Sequence, residues 1–162
     1  MLYAKTKDLV AYILVGVPGS GKSTWVEKHK TPGTIICSTD NYIESYAKEV
    51  NKTYSDVFAE YIAVATSRML DDLVYAKEYD FNVIWDQSNV SVKTRAKKIK
   101  MLPQYKKIAV VFSIPEKEEH IRRLESRPGK DISYHAVARM IKQFVVPTIE
   151  EGFDEIIFTN NC

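Results

Sequence analysis

Gly16-Val17-Pro18-Gly19-Ser20-Gly21-Lys22-Ser23, followed at once by Thr24, decides how the rest of this 162-residue chain is read. Ahead of it runs Leu9-Val10-Ala11-Tyr12-Ile13-Leu14-Val15, an apolar run of the kind found in a strand buried on both faces of a parallel sheet. Behind it, Trp25 and Val26 precede Glu27, Lys28 and His29, which reads as a short helix. Strand, glycine-rich turn and helix is the setting in which Gly-x-x-x-x-Gly-Lys-Ser/Thr means a phosphate-binding loop, or P-loop. Glycines let successive backbone N–H groups turn inward as a nest for phosphate oxygens, and the helix N-terminus adds free donors and a favourable dipole. Lys22 would reach the β- and γ-phosphates, and the Ser23 hydroxyl would coordinate Mg²⁺. Gly16, Pro18, Gly19, Ser20, Gly21, Lys22, Ser23 and Thr24 are therefore the candidate nucleotide-cradling residues.

The length suits one domain, residues 1–162, with a continuous core. Hydrophobic content of 45% and charged content of 27% are ordinary for a globular protein, and no apolar run reaches membrane-spanning length. Met1 to Asp8 lack a signal-peptide layout, and Cys37 and Cys162 form neither a disulfide framework nor a metal-ligand spacing. A reducing cytoplasm is the expected home, with no membrane partner. A net charge of +2 permits nucleic acid as a partner without demanding it.

Along the chain, strands are expected at Thr34–Cys37, Phe81–Trp85, Lys107–Phe112 and Ile156–Phe158. Helices are expected from Tyr42 to Val50, from a cap at Ser55-Asp56 to about Tyr79, from Val90-Ser91 to Leu102, from Pro115-Glu116 to Glu125, and from Ser133 to Val145. Alternating strands and helices predict a doubly wound α/β fold. It would be a three-layer α/β/α sandwich with a mostly parallel five-stranded sheet and a helical lid. Ligands sit at the carboxyl ends of such strands, which puts the P-loop, Asp40 and Asp86 on one rim.

Asp40, at the end of the second strand, suits the base that orients an acceptor hydroxyl and takes its proton; capping the helix that follows is its other possible duty. Asp86 closes the third strand and is placed to hold Mg²⁺ through water or to fix Ser23 and Lys22. Arg122, Arg123 and Arg127 flank the nucleotide. Arg127, in a Pro-Gly loop, suits a lid arginine over the phosphates, while at least one of the three belongs on a solvated face. Between Lys93 and Lys107 stand seven Lys or Arg and no acid; with Val92, Ala96, Ile99 and Leu102 facing the core, the cations would face outward, toward solvent or a phosphodiester backbone. Tyr42 and Tyr46 suit base stacking or core packing. His29, His120 and His135 show no ligand spacing.

Taken together, these motifs resemble the P-loop kinases typified by polynucleotide 5′-hydroxyl kinase, over nearly the whole chain. Gly16–Trp25 is similar to the phage-type kinase P-loop, Asp40 falls at the family's general base, and Arg127 falls near its lid arginine. Trp85-Asp86-Gln87-Ser88-Asn89 matches an Asp-x-Ser/Thr-Asn segment. The stretch Phe144–Ile156 looks like the carboxyl-terminal Phe-x-x-Pro-x-x-x-Glu-Gly-Phe signature of the eukaryotic branch. Asp86–Ser91 and Gly129-Lys130-Asp131 also resemble the kinase-like domain of heterogeneous nuclear ribonucleoprotein U, which lacks the strand-end aspartate that Asp40 supplies here. Two positions depart from the pattern: Thr39 and Ile43 stand where phage-type relatives have arginines. The resemblance implies an ATP- and Mg²⁺-dependent kinase acting on a hydroxyl of nucleic acid, DNA favoured over RNA. The acceptor would be a 5′-OH end or, as in phage kinases of hydroxymethylpyrimidines, a base hydroxymethyl group, and a phage-encoded protein would work in the host cytoplasm. Lys22, Asp40 and Arg127 would be catalytic, Arg123 would bind nucleotide, Ser23 and Asp86 would hold metal, and Tyr42, Asn89 and Lys93 would meet the acceptor. A small-molecule kinase and a non-catalytic nucleotide-binding adaptor stay open as alternatives.

Overall fold

The computed structural model describes residues 8–159. The readings of the amino-terminal residues 1–7 and of Cys162 lie outside the described residues. Five strands, β1 (Val10–Val15), β2 (Thr34–Cys37), β3 (Asn82–Trp85), β4 (Lys106–Phe112) and β5 (Glu155–Thr159), form one sheet in the order β2-β3-β1-β4-β5. All of its pairings are parallel, with Ala11 against Val83 and Lys107, and Cys37 against Trp85. The helices are α1 (Lys22–His29), α2 (Thr39–Glu49), α3 (Tyr54–Glu78), α4 (Val92–Lys100), α5 (Lys117–Glu125) and α6 (Tyr134–Gln143); a 3₁₀ turn (Ile149–Glu151) precedes β5.

The apolar run before the P-loop becomes the middle strand because both of its faces need cover. Ala11, Ile13 and Val15 face Met69, Leu73 and Ala76 of α3, while Leu14 faces Val26 of α1 with Ile84, Val110 and Phe112. Helices on both faces of a parallel sheet are the α/β/α arrangement expected from the alternation of elements. In this strand order β3 lies on one side of β1 and β4 on the other, so a crevice opens at the carboxyl end of β1.

Two local readings are corrected. The long helix α3 is capped by Thr53 and not by Ser55-Asp56: the Thr53 hydroxyl accepts from Asp56 N at 3.2 Å while Asp56 Oδ2 accepts from Thr53 N at 3.1 Å, a reciprocal capping box. In and just after α4, Ile99 and Leu102 pack against the core as expected, but the rest of the inward face differs from the expected one. Val92 and Ala96 are exposed, and Arg95 and Lys98 are buried. Positions 95, 98 and 102 share one face at helical spacing, and that face lies inward because Glu151 and Asn89 there supply partners for the two cations.

Candidate functional site

At the carboxyl edge of the sheet lies a cleft of about 1120 Å³, and four of the segments lining it carry the expected site residues. The P-loop and the start of α1 contribute Pro18, Gly19, Gly21, Lys22, Ser23 and Thr24. The start of α2 contributes Thr39, Asp40, Asn41 and Glu44; the turn after β3 contributes Asp86 to Ser91. Arg123, Arg127 and Lys130 enter from α5 and the loop behind it, the lid. Residues far apart in sequence thus meet where strand order sends them.

The P-loop has the backbone its glycines permit. Gly19 and Gly21 have φ of 79° and 102°, values that favour glycine, and Gly21 leads into α1. Two side chains of α5 hold the loop from behind: His120 Nε2 lies 2.6 Å from Pro18 O, and Arg123 Nη1 donates to Gly19 O at 3.1 Å. His120, to which spacing assigns nothing, is fully buried in this role, with Leu124 one turn along the same face. Arg123 also donates to Glu119 at 3.0 Å, so it braces the loop that would bind nucleotide. Arg122 is the solvated member of the three, exposed and paired with Glu119 at 2.6 Å.

Lys22 Nζ donates to Gly16 O at 2.9 Å and Val17 O at 3.0 Å. Burial draws its ammonium down to about 8, against opposing pulls from Asp86 and Asp40. A triphosphate beside it would favour the charged form, so the bound state would hold more protons than the free one above pH about 8. The expected result is proton uptake on ATP binding, and an affinity that falls as pH rises above about 8. Titration calorimetry in buffers of different ionisation enthalpy measures it; no uptake at pH about 8 would remove Lys22 from the phosphates.

Asp40 does not cap α2. Ser38 does, its hydroxyl accepting from Asn41 N at 3.3 Å. The Asp40 carboxylate turns into the cleft, where Oδ1 accepts from the Tyr54 hydroxyl at 2.6 Å and Oδ2 from Lys130 Nζ at 2.8 Å. Burial raises this carboxyl, but Lys130, Tyr54 and Arg127 together outweigh burial and hold it below the usual range. Asp86, in the same cleft, is pushed up by burial despite Lys22. The Ser23 hydroxyl and the Asp86 carboxylate are hard oxygen donors, few in number, which suits Mg²⁺ arriving with phosphate. Arg127 lines the cleft, and its guanidinium makes no hydrogen bond or ion pair among the described residues.

The expected acceptor contacts fare differently. Tyr42 does not line the cleft: its hydroxyl donates to Asp72 at 2.6 Å and Arg68 lies 5.8 Å over its ring, because the α2–α3 contact takes that face. Tyr46 stacks on Tyr61 at 4.1 Å in the same contact. Asn89 reaches the cleft wall, but it is 3% exposed and its amide donates to Leu14 O at 2.7 Å and Gln87 O at 3.1 Å, while Lys98 donates to its carbonyl. With φ of 51° it shapes the turn after β3. Lys93, Lys97 and Lys100 are exposed on α4 and stand outside the cleft. What sequence reasoning missed is Lys130, Tyr54 and Lys98. No local pattern marks them, since each acts through a partner on another element.

Comparisons with known proteins agree with this fold. A family model described as an AAA domain matches residues 12–147. A chain from the Pnkp1/Rnl/Hen1 RNA repair complex superposes with a TM-score of 0.64 at 20% identity, over 88% of this chain and 46% of its own length. The chain thus spans about half of that protein. A putative kinase from Chloroflexus aurantiacus J-10-fl gives 0.70 at 14% identity, covering 94% and 89% of the two chains. A gluconokinase from Sinorhizobium meliloti 1021 gives 0.51 at 15% identity, covering 96% and 85%. At such identities the likeness is one of fold.

Proposed function

This chain belongs to the AAA-domain family matched over residues 12–147, and from that premise we propose that it is an ATP- and Mg²⁺-dependent kinase of one domain that moves the γ-phosphoryl group to a hydroxyl on nucleic acid. The observation that carries this reading is the shared cleft: the Asp40 carboxylate, ionised and pointing inward, lines the same space as Lys22, Ser23 and Arg127. Phosphoryl transfer asks for in-line placement, charge neutralisation and a group to orient the hydroxyl. Lys22 and Arg127 would offset charge on the transferring phosphoryl, and the P-loop amides would hold the phosphates. Asp40 would accept the hydroxyl's hydrogen bond and then its proton. Ser23 and Asp86 would hold Mg²⁺, which when bound neutralises phosphate charge.

Nucleic acid as acceptor draws support from the fold shared with a chain of an RNA repair complex; DNA over RNA is proposed from the sequence resemblance alone. Lys93, Lys97 and Lys100 of α4 lend it no support, since they stand outside the cleft. A small-molecule acceptor is the second reading, and one feature favours it. Apart from Asp40 and Asp86, the cleft residues supplied by α2, α3 and position 87 are Thr39, Asn41, Glu44, Phe58, Ile62 and Gln87, of which only Glu44 is charged. Lys130, the cation beside them, is already paired with Asp40 and Glu44. A reducing cytoplasm remains the proposed setting; Cys37 is buried and its thiol is pushed up to about 12, so it is inert there.

Labelling with γ-phosphate tests the choice, using 5′-OH oligonucleotides, 5′-blocked oligonucleotides carrying hydroxymethyluracil, and free nucleosides and sugars. Label in either oligonucleotide is the expected result. Label confined to free nucleosides or sugars would replace the nucleic-acid reading, and transfer to none of them would leave a nucleotide-binding adaptor.

A further inference from the structure

Lys130 reaches Asp40 from 90 residues away, carried by the loop between α5 and α6. Its Nζ donates to Asp40 Oδ2 at 2.8 Å and to Glu44 Oε1 at 3.3 Å, and lies 4.4 Å from the centre of the Tyr54 ring. The residue is 9% exposed, so its charge is matched by these partners in place of water. Each oxygen of Asp40 is thereby held by a different element, Oδ1 by Tyr54 of α3 and Oδ2 by the lid. Each oxygen keeps a second lone pair, and the side chain remains 47% exposed to receive a hydroxyl.

The segment that carries Lys130 is stiff. Arg127-Pro128-Gly129-Lys130 closes on itself through Lys130 N donating to Arg127 O at 3.2 Å, with proline in the second place and Gly129 at φ 72° in the third. Those are the residues and the sign of φ that a type II turn requires. Arg127, which lines the cleft beside the P-loop, and Lys130, which holds Asp40, are therefore the two ends of one rigid unit. The turn is seated on the first turn of α3: Ser55 N donates to Gly129 O at 3.0 Å and Asp131 N donates to the Ser55 hydroxyl at 2.8 Å. The seat is close enough that a Cβ on residue 129 would lie 2.9 Å from Thr53 Cβ.

We infer that this turn is a two-headed clamp in which Arg127 answers to the nucleotide and Lys130, a positioning residue, orients Asp40, so that nucleotide occupancy sets the base. The inference rests on the kinase reading for its catalytic consequence alone. The geometry explains why the lid carries two cations three positions apart with Pro-Gly between them: a flexible link would let either end move without the other. It also gives Glu44 a part, as the second carboxylate that keeps Lys130 at the mouth of α2.

The test uses Lys130→Met, Lys130→Arg and Gly129→Ala in the full chain. In the first arm, amide hydrogen exchange is followed with and without a non-hydrolysable ATP analogue and Mg²⁺, which needs no acceptor. The wild type should slow exchange in both the lid turn and the first turn of α2 when the analogue binds. Lys130→Met should keep its affinity for the analogue and the lid protection but lose the α2 protection, and Lys130→Arg should restore it. Gly129→Ala should lose it with Lys130 still present. Unaltered α2 protection in Lys130→Met, or none in the wild type, would overturn the clamp. In the second arm, Lys130→Met should lower kcat by about 100-fold, the scale of a misplacement of roughly 1 Å, with KM for ATP unchanged and arginine rescuing. An unchanged kcat would overturn the positioning role while leaving Asp40 as base. A wild type that labels no oligonucleotide would defeat the nucleic-acid reading alone, because the exchange arm is still read.

Discussion

Asp40→Asn is expected to lower kcat by about 100- to 10,000-fold, the range over which a positioned base contributes. ATP affinity should persist, because the P-loop, Lys22 and the α5 braces at Pro18 and Gly19 are untouched. The substitution keeps the side chain's shape but replaces one oxygen with a donor. One of the two donors at 2.6 and 2.8 Å, Tyr54 or Lys130, then faces another donor. Steady-state rates with nucleotide binding measured separately check both halves. Full activity would take Asp40 out of the mechanism, and lost ATP binding would make it a structural anchor instead. Asp40 also carries a stability consequence with a definite sign. Its folded carboxyl sits below the usual range, so the stabilisation is present above the ordinary carboxylate value and is lost as pH falls through the folded one.

The second large effect lies behind the cleft. Arg95 is fully buried and donates to Glu151 from Nε at 2.8 Å and from Nη2 at 3.0 Å, while Nη1 donates to Asn89 O at 3.0 Å. Glu151 in turn accepts from Thr148 N at 2.9 Å. One guanidinium therefore ties α4 to the turn that carries Asp86 and to the 3₁₀ turn ahead of β5. Removing one partner leaves the other as a buried, unmatched charge, so Arg95→Met should cost about 3–5 kcal/mol. For a chain of this length that is a fall in Tm on the order of 10 °C. Urea denaturation measures the loss. The double variant Arg95→Met with Glu151→Leu should recover much of it, since replacing both partners with apolar groups removes the unmatched charge. A loss under about 1 kcal/mol in Arg95→Met would show the pair to be no better than a surface one.

Much of the architecture was legible because it follows from local rules. The run Leu9–Val15 needed cover on both faces, and Gly19 and Gly21 mark a loop with positive φ. Strand alternation then set a parallel sheet and sent Asp40 and Asp86 to the rim of the P-loop. In and just after α4 the core-facing Ile99 and Leu102 were legible, but the inward place of Arg95 and Lys98 was not. Lys and Arg are ordinarily placed outward, and only the distant Glu151 and the unusual turn at Asn89 make an inward Arg95 and Lys98 affordable. Tyr42 escaped the sequence for a related reason: two residues after Asp40, about half a helical turn, its direction depends on α3, where Asp72 receives its hydroxyl.

The chain's order of residues alone determined a phosphate cradle on a parallel sheet, because backbone freedom at glycine and apolar periodicity act over a few neighbours. Folding in three dimensions decided what surrounds the cradle. Lys130 meets Asp40, Arg95 meets Glu151 and His120 meets Pro18 across 90, 56 and 102 positions. Electrostatic matching between buried groups depends on distance and exclusion of water, and neither quantity is written in any short stretch of sequence.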